Sequence, residues 1–221
     1  MTRLAYDGCV DARTDEVRRV LDRYLVEVVE AYDLCPWAAS ARRSGELAID
    51  VLFGTPDAAA FAACARVLLA RPETRVAMIV APELVATQGD LRTLKDAVTT
   101  LVPGVGVADF HPTAPLDLAT PARAVPFCRR APDPLLQLVP LSVLDAIRGG
   151  GPHAQDRARQ LAMLGGYITA PRAEVADRIA AANHASLTTH GPAIAATLAA
   201  IAVDRAAAYA RVGISPTFRS P

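Results

Sequence analysis

Along the first two thirds of the chain, segments with helix-like spacing of apolar residues alternate with short apolar segments typical of strands. From Val17 to Val29 they recur three and four residues apart, which predicts an amphipathic helix capped by Thr14 or Asp15 and ending near Asp33. Short apolar runs predict strands at 46–53, 75–80, 106–110 and 135–139, and capped helical patterns lie between them at 55–69 and 89–102. This alternation predicts an α/β fold: a mixed, partly parallel sheet of about four strands covered by helices.

The segment 112–134 interrupts the alternation because it holds six prolines. It predicts a long connection without regular structure, and connections of that length usually have a function. A short helix at 142–148, ended by the glycines of 149–151, follows the fourth strand.

The remaining residues are rich in alanine and predict helices at 156–164, 172–187 and 192–211. We expect two units: residues 1–150 as the α/β domain with its N-terminal helix, and residues 151–221 as a helical C-terminal extension. The extension is predicted to be a helical hairpin packed on the α/β body, and it could offer a face for a homo-oligomer.

Composition narrows the range of partners. The 221 residues are 52% hydrophobic, and 23 basic residues balance 23 acidic ones, so no net charge favours nucleic acid. The first ten residues lack a secretory pattern, and the apolar run 192–203 is short of the roughly 20 residues that span a bilayer. We therefore expect a cytoplasmic protein with a small-molecule ligand and neither nucleic acid nor membrane as a partner.

Cys35 is the first residue with candidate chemistry, since it ends the first helix and precedes Pro36. A thiol in such a bend could be a nucleophile if a positive neighbour lowers its pKa, or a soft ligand for haem iron or a transition metal. It could equally be a small core residue beside Leu34 and Trp37. The four cysteines form no Cys-x-x-Cys pair, so no zinc knuckle or dithiol motif is indicated.

His111 directly follows the third strand, at the end where open α/β sheets generally place ligands. It could act as a general base, a hydrogen-bond donor or a metal ligand. The alternative is that it bonds a backbone carbonyl and holds the loop.

Three arginines lie on the proline-rich segment, and guanidinium groups suit carboxylate or phosphate recognition. For Arg123 and Arg129 we favour solubility and surface salt bridges, which leaves Arg130 as the main candidate for anion binding.

Three strings of the chain are similar to motifs of a bacterial family known only as domain-of-unknown-function family 1415. They are Leu34-Cys35-Pro36-Trp37-Ala38, Phe110-His111-Pro112 and Arg130-Ala131-Pro132-Asp133-Pro134. The resemblance covers roughly residues 14–166, with Trp37 where the family usually has phenylalanine. It implies importance for Cys35, Pro36, His111, Pro112 and Arg130, and it implies no particular activity.

The leading hypothesis is an enzyme that acts on a small anionic molecule in a pocket at the strand ends beneath the proline-rich segment. Arg130 would bind the anion, with Arg129 and Trp37 as further binding residues, His111 would move a proton, and Cys35 would be the nucleophile or line the site. One alternative is a haem- or metal-binding protein with Cys35 or His111 as ligand. Another is a non-catalytic interaction module.

Overall fold

The computed structural model describes residues 12–147 and 173–215, and it has an α/β fold built on a mixed four-stranded sheet. The strands are β1 (Leu47–Val51), β2 (Val76–Val80), β3 (Val105–Phe110) and β4 (Leu135–Pro140). Their order is β1-β2-β4-β3; β1 and β2 are parallel, and β4 is antiparallel to both of its neighbours. The carboxyl ends of β1, β2 and β3 therefore lie at one edge together with the start of β4. The predicted fold class is confirmed.

Seven helices accompany the sheet in the described part of the chain. They are α1 (Ala12–Tyr24), α2 (Ala38–Arg43), α3 (Ala58–Leu69), α4 (Gln88–Leu101), α5 (Pro121–Cys128), α6 (Leu141–Ile147) and α7 (Ala173–Val212). A π-helical turn over Leu25–Glu30 extends α1. The prediction of a cap at Thr14 or Asp15 is wrong, since residue 12 is already helical and both residues lie within α1.

Each face of the sheet carries its own apolar core. On one face, α3 and α4 pack on inward residues such as Ile79 and Leu138. On the other, α1, α5 and α7 cover Met78, Val80 and Leu135. The alternation of side chains along β4 supplies both cores from a single strand.

The prediction of a connection without regular structure at 112–134 is wrong in its second half, where α5 forms. The hydroxyl oxygen of Thr120 accepts a hydrogen bond from the backbone N–H of Arg123 at 3.3 Å, and Pro121 occupies the first turn. A threonine cap followed by proline is a recognised helix start, because proline's fixed φ suits the first turn and its missing N–H has no partner to lose there. Buried Ala124 and Phe127 then anchor the helix to the core.

The predicted helical hairpin is also wrong, because α7 runs unbroken through Gly191 and Pro192. Four fully buried residues spaced seven apart form its inward seam: Leu187, Ile194, Ile201 and Ala208. Continuous packing of this seam offsets the loss of the hydrogen bond that Pro192 cannot donate. The predicted helix at 156–164 and the glycines at 149–151 lie outside the described residues.

Polar contacts near the carboxyl end of α7 fix it to α1 and to the residues just before β4. Asp204 accepts hydrogen bonds from Arg19 and Arg23 of α1, each at 2.7 Å. Buried Asp133, just before β4, pairs with Arg205 at 2.6 Å and accepts a hydrogen bond from the Tyr209 hydroxyl at 2.5 Å.

By length and composition alone, the part of α7 from Asp177 to Val212 could cross a bilayer. Core helices of soluble proteins pass the same test, so this is weak evidence of membrane contact. The expectation of no membrane partner stays a prediction.

Candidate functional site: a cavity on the sheet

A cavity of about 560 Å³ lies on the sheet face that α1 and α7 cover. Its floor takes one residue or more from every strand, including Leu47, Met78, Ala108 and Gln137. Most of its described lining is apolar. The described lining side chains with polar or sulfur atoms are Tyr24, Cys35, Trp37, Met78, Cys128, Arg129, Gln137 and Asn183. Such a volume and such a lining are typical of small-molecule sites.

The cavity lies only partly where the sequence placed a pocket, since Phe110 and Arg129, at the carboxyl end of β3, line one part of it. It extends to Leu47, Val76 and Gly106, near the amino ends of β1, β2 and β3, whereas His111 and Arg130 lie beyond the carboxyl end of β3. Sequence patterns locate strands but not the depth of the space between a sheet and the helices above it.

The end of α1 positions Cys35 at this cavity. The π-helical turn at the end of α1 is closed by two hydrogen bonds to carbonyl oxygens five residues back. The N–H of Ala31 donates to Val26 at 3.2 Å, and the N–H of Leu34 donates to Val29 at 2.9 Å. Asp33 follows in the left-handed conformation, at φ +51°, which turns the chain out of the helix. Leu34 is then buried in the core and Cys35 lines the cavity.

The Cys35 thiol is held in its neutral form. Burial raises its pKa above the ordinary value, and the nearby Asp33 carboxylate adds to that rise. Hydrogen bonds from the backbone N–H groups of Trp37 and Ala38 act in the opposite direction on this pKa and do not overcome the burial. At neutral pH this thiol is therefore a poor nucleophile.

Arg129 is the only charged residue among the described residues that line the cavity. It is half-buried, and the described part of the chain gives its guanidinium no carboxylate partner. Its charge works against the effect of burial on Cys128, whose pKa is nevertheless raised to about 11. The expected surface salt bridge is present for Arg123, which pairs with Asp117 at 2.5 Å, but not for Arg129 among the described residues.

Two amide side chains at the cavity were not singled out from the sequence. Gln137 is the polar residue in the centre of β4. Asn183 lies on the alanine-rich helix α7, and this residue is only 7% exposed. Neither amide has a hydrogen bond to any described residue. In the sequence, each is only a polar residue on a face that packs inward. This points to a binding site only when that face is known to border a cavity.

The structure places His111 away from the cavity lining, where it is 4% exposed. One ring nitrogen, Nε2, lies 2.9 Å from the carbonyl oxygen of Ala86. The other, Nδ1, accepts from the backbone N–H of Thr113 at 3.2 Å and lies 3.0 Å from its hydroxyl. This geometry favours the alternative in which His111 joins the loops after β2 and β3.

Arg130 also lies apart from Cys35. Its Nε donates to the carbonyl oxygen of Pro112 at 2.9 Å, and its guanidinium is 5.7 Å from the centre of the Phe127 ring. It borders a second cavity of about 130 Å³, against Pro132 and small residues of α7 such as Ala199. The cavity that Cys35 lines thus has Arg129 and Trp37 in its lining, but neither His111 nor Arg130.

Cys35 and Cys128 are the cavity residues that could bind a soft metal or haem iron. No group of three or more histidine, cysteine, aspartate or glutamate residues arranged for a metal occurs within residues 12–147 and 173–215. The haem or metal hypothesis stays a prediction.

No family model matches the chain, and no curated protein or solved structure matches it. The resemblance of its Cys-Pro, His-Pro and Arg-x-Pro strings to domain-of-unknown-function family 1415 therefore stays a prediction as well.

Proposed function

We propose that the protein binds a small, largely apolar molecule carrying one anionic group in the 560 Å³ cavity, with Arg129 as the residue that holds the anion. The observation that carries the proposal is the half-buried guanidinium of Arg129, which has no carboxylate partner among the described residues and lies in a lining whose other described residues are uncharged. Arg129 thus replaces Arg130 as the candidate anion-binding residue.

The charge argument rests on the cost of burial. A guanidinium that loses water needs a counter-charge, and a carboxylate can accept two parallel hydrogen bonds from it. Because the described lining supplies no acid, a ligand acid is the natural partner. Hydrogen bonds to a charged group contribute about 1.5–3 kcal/mol each.

The apolar lining determines the chemical character of the ligand beyond its anionic group. Leu25, Val29, Met78, Phe110 and Val139 offer hydrocarbon surface and no hydrogen bonds. Burial of apolar ligand area there is favourable by roughly 25 cal/mol per Å². The preferred ligand is therefore an amphiphilic acid rather than a compact polyanion.

Cys35 contacts the ligand in this proposal without being assigned a covalent step. Its raised pKa disfavours the thiolate, and an anionic ligand nearby would disfavour it further. Binding is the function that the site supports best, and enzymatic turnover stays a hypothesis.

Trp37 provides the measurement, because it lines the cavity and is the only tryptophan of the chain. We would titrate the full chain with nonanoate and with the uncharged 1-nonanol, following Trp37 fluorescence and heat. We expect nonanoate to bind about ten-fold more tightly or better, in keeping with a charged hydrogen bond. In Arg129→Gln that preference should disappear.

Arg130→Gln is the matched control, since it removes the same charge one residue away and should leave the preference intact. Equal affinity for acid and alcohol in the wild-type protein would contradict the proposal. So would an acid preference that survives Arg129→Gln.

A further inference from the structure

We propose that Gln137 and Asn183 form a second, neutral subsite in the same cavity, which binds an amide-type group of the ligand. The inference deepens the proposed function, because it places this subsite in the cavity that Arg129 lines. The substrate class becomes an apolar acid with an internal amide, such as an N-acyl amino acid.

Asn183 supplies the first observation. Its residue is more than nine-tenths buried, it lines the cavity, and its amide has no hydrogen-bond partner among the described residues. Its amide atoms keep some accessible area at the cavity, so what fills the cavity must supply their hydrogen bonds, which an amide removed from water otherwise loses. The neighbouring His184 and Ser186 do have partners, the carbonyl oxygens of Leu118 and Tyr32.

Gln137 supplies the second observation, independently, from the other wall. It sits in the centre of β4, where its register partners are Met78 of β2 and Ala108 of β3. Both neighbours line the cavity, and the only hydrogen-bonding atom that their side chains offer an amide is the weakly accepting thioether sulfur of Met78. An apolar residue would pack better at this position of a central strand, so the glutamine needs another explanation.

The chemistry of the two side chains defines what they bind. Each carboxamide presents one acceptor oxygen and two N–H donors, without charge. The matching ligand group offers both an acceptor and a donor, as a peptide-type amide does. A site built to hydrogen bond such a group discriminates strongly against analogues that lack it.

The test compares two acids with the same chain length. N-hexanoylglycine and nonanoate differ in whether an amide interrupts the chain, and both can be followed by Trp37 fluorescence. In Asn183→Leu and Gln137→Met, which remove the amides at similar volume, we expect N-hexanoylglycine to bind at least ten-fold more weakly. Nonanoate should bind as well as before or better.

Thr189→Val is the control on α7, because it removes a hydroxyl from the exposed side of the same helix and should change neither affinity. Thermal unfolding of each variant shows whether it is folded, and Asn183→Leu should melt no lower than the wild type. If both acids change by the same factor in Asn183→Leu and Gln137→Met, or neither changes, the subsite is refuted and water satisfies the amides.

Adding Arg129→Gln separates this inference from the proposed function. If Arg129→Gln affects neither acid while Asn183→Leu still weakens only N-hexanoylglycine, the anion assignment fails and the subsite stands. The reverse pattern refutes the subsite alone. If neither acid binds the wild-type protein, both proposals are wrong.

Discussion

At the scale of the single residue, Asp33 combines two roles at the end of α1. Its left-handed backbone turns Cys35 toward the cavity, and its carboxylate contributes to the raised pKa of that thiol. Asparagine tolerates the left-handed conformation as well as aspartate does, so Asp33→Asn separates conformation from charge. A β-branched residue there would be strained by about 1–2 kcal/mol.

We predict that Asp33→Asn lowers the pKa of Cys35 and speeds its alkylation by iodoacetamide at pH 8. The thiolate is the reacting form, so a lower pKa increases its fraction at any pH below that pKa. Peptide mass spectrometry would give the rate at Cys35 alone. Asp96→Asn, on the opposite face of the sheet, should leave it unchanged, and a slower rate in Asp33→Asn would contradict the prediction.

The sequence singled out Cys35 and Trp37, which line the cavity, because a Cys-Pro step at a helix end is visible locally. It could not choose between Arg129 and Arg130. Adjacent residues after a helix point to different sides, and the deciding helix, α5, was not predicted. Asn183 was not singled out, because one asparagine on an alanine-rich helix gives no local sign of the cavity that it borders.

At the scale of the element, α7 depends on the buried pair of Asp133 and Arg205 near its carboxyl end. A buried charge that loses its partner is expensive, although the intact pair adds little over apolar packing.

We predict that Asp133→Asn lowers the free energy of unfolding by about 3 kcal/mol, as measured by urea denaturation. Asp117→Asn breaks the exposed pair with Arg123 and should cost about 1 kcal/mol or less. Comparable losses in the two variants would show that the buried pair is not a special anchor.

Local signals explain which elements were predicted. The strands and α3, α4 and α6 follow from short-range periodicity, whereas α7 was divided because Gly191 and Pro192 look like a break. The seven-residue seam from Leu187 to Ala208 was readable in the sequence. Its importance for keeping α7 continuous became clear only from the helices that it packs against, α1 and α5.

At the scale of the whole molecule, the fold class was predictable and the strand order was not. Alternation of strands and helices gives the class, but β4 inserts between β2 and β3 through pairings far apart in the chain. The cavity follows from that order, since its floor joins residues of all four strands.

The packing of α7 against α1 also determines at which stage of folding the cavity forms. Arg19 and Asp204 are separated by 185 residues, while the sheet and the helices α3 and α4 come from one continuous stretch. Closing the longer loop costs more entropy, so we expect the α3 and α4 face to fold first. Pulsed hydrogen exchange should show amides of β2 and β4 protected before those of α7, and simultaneous protection would contradict this order. The ligand cavity would then be the last part of the molecule to assemble and, on unfolding, the first to open.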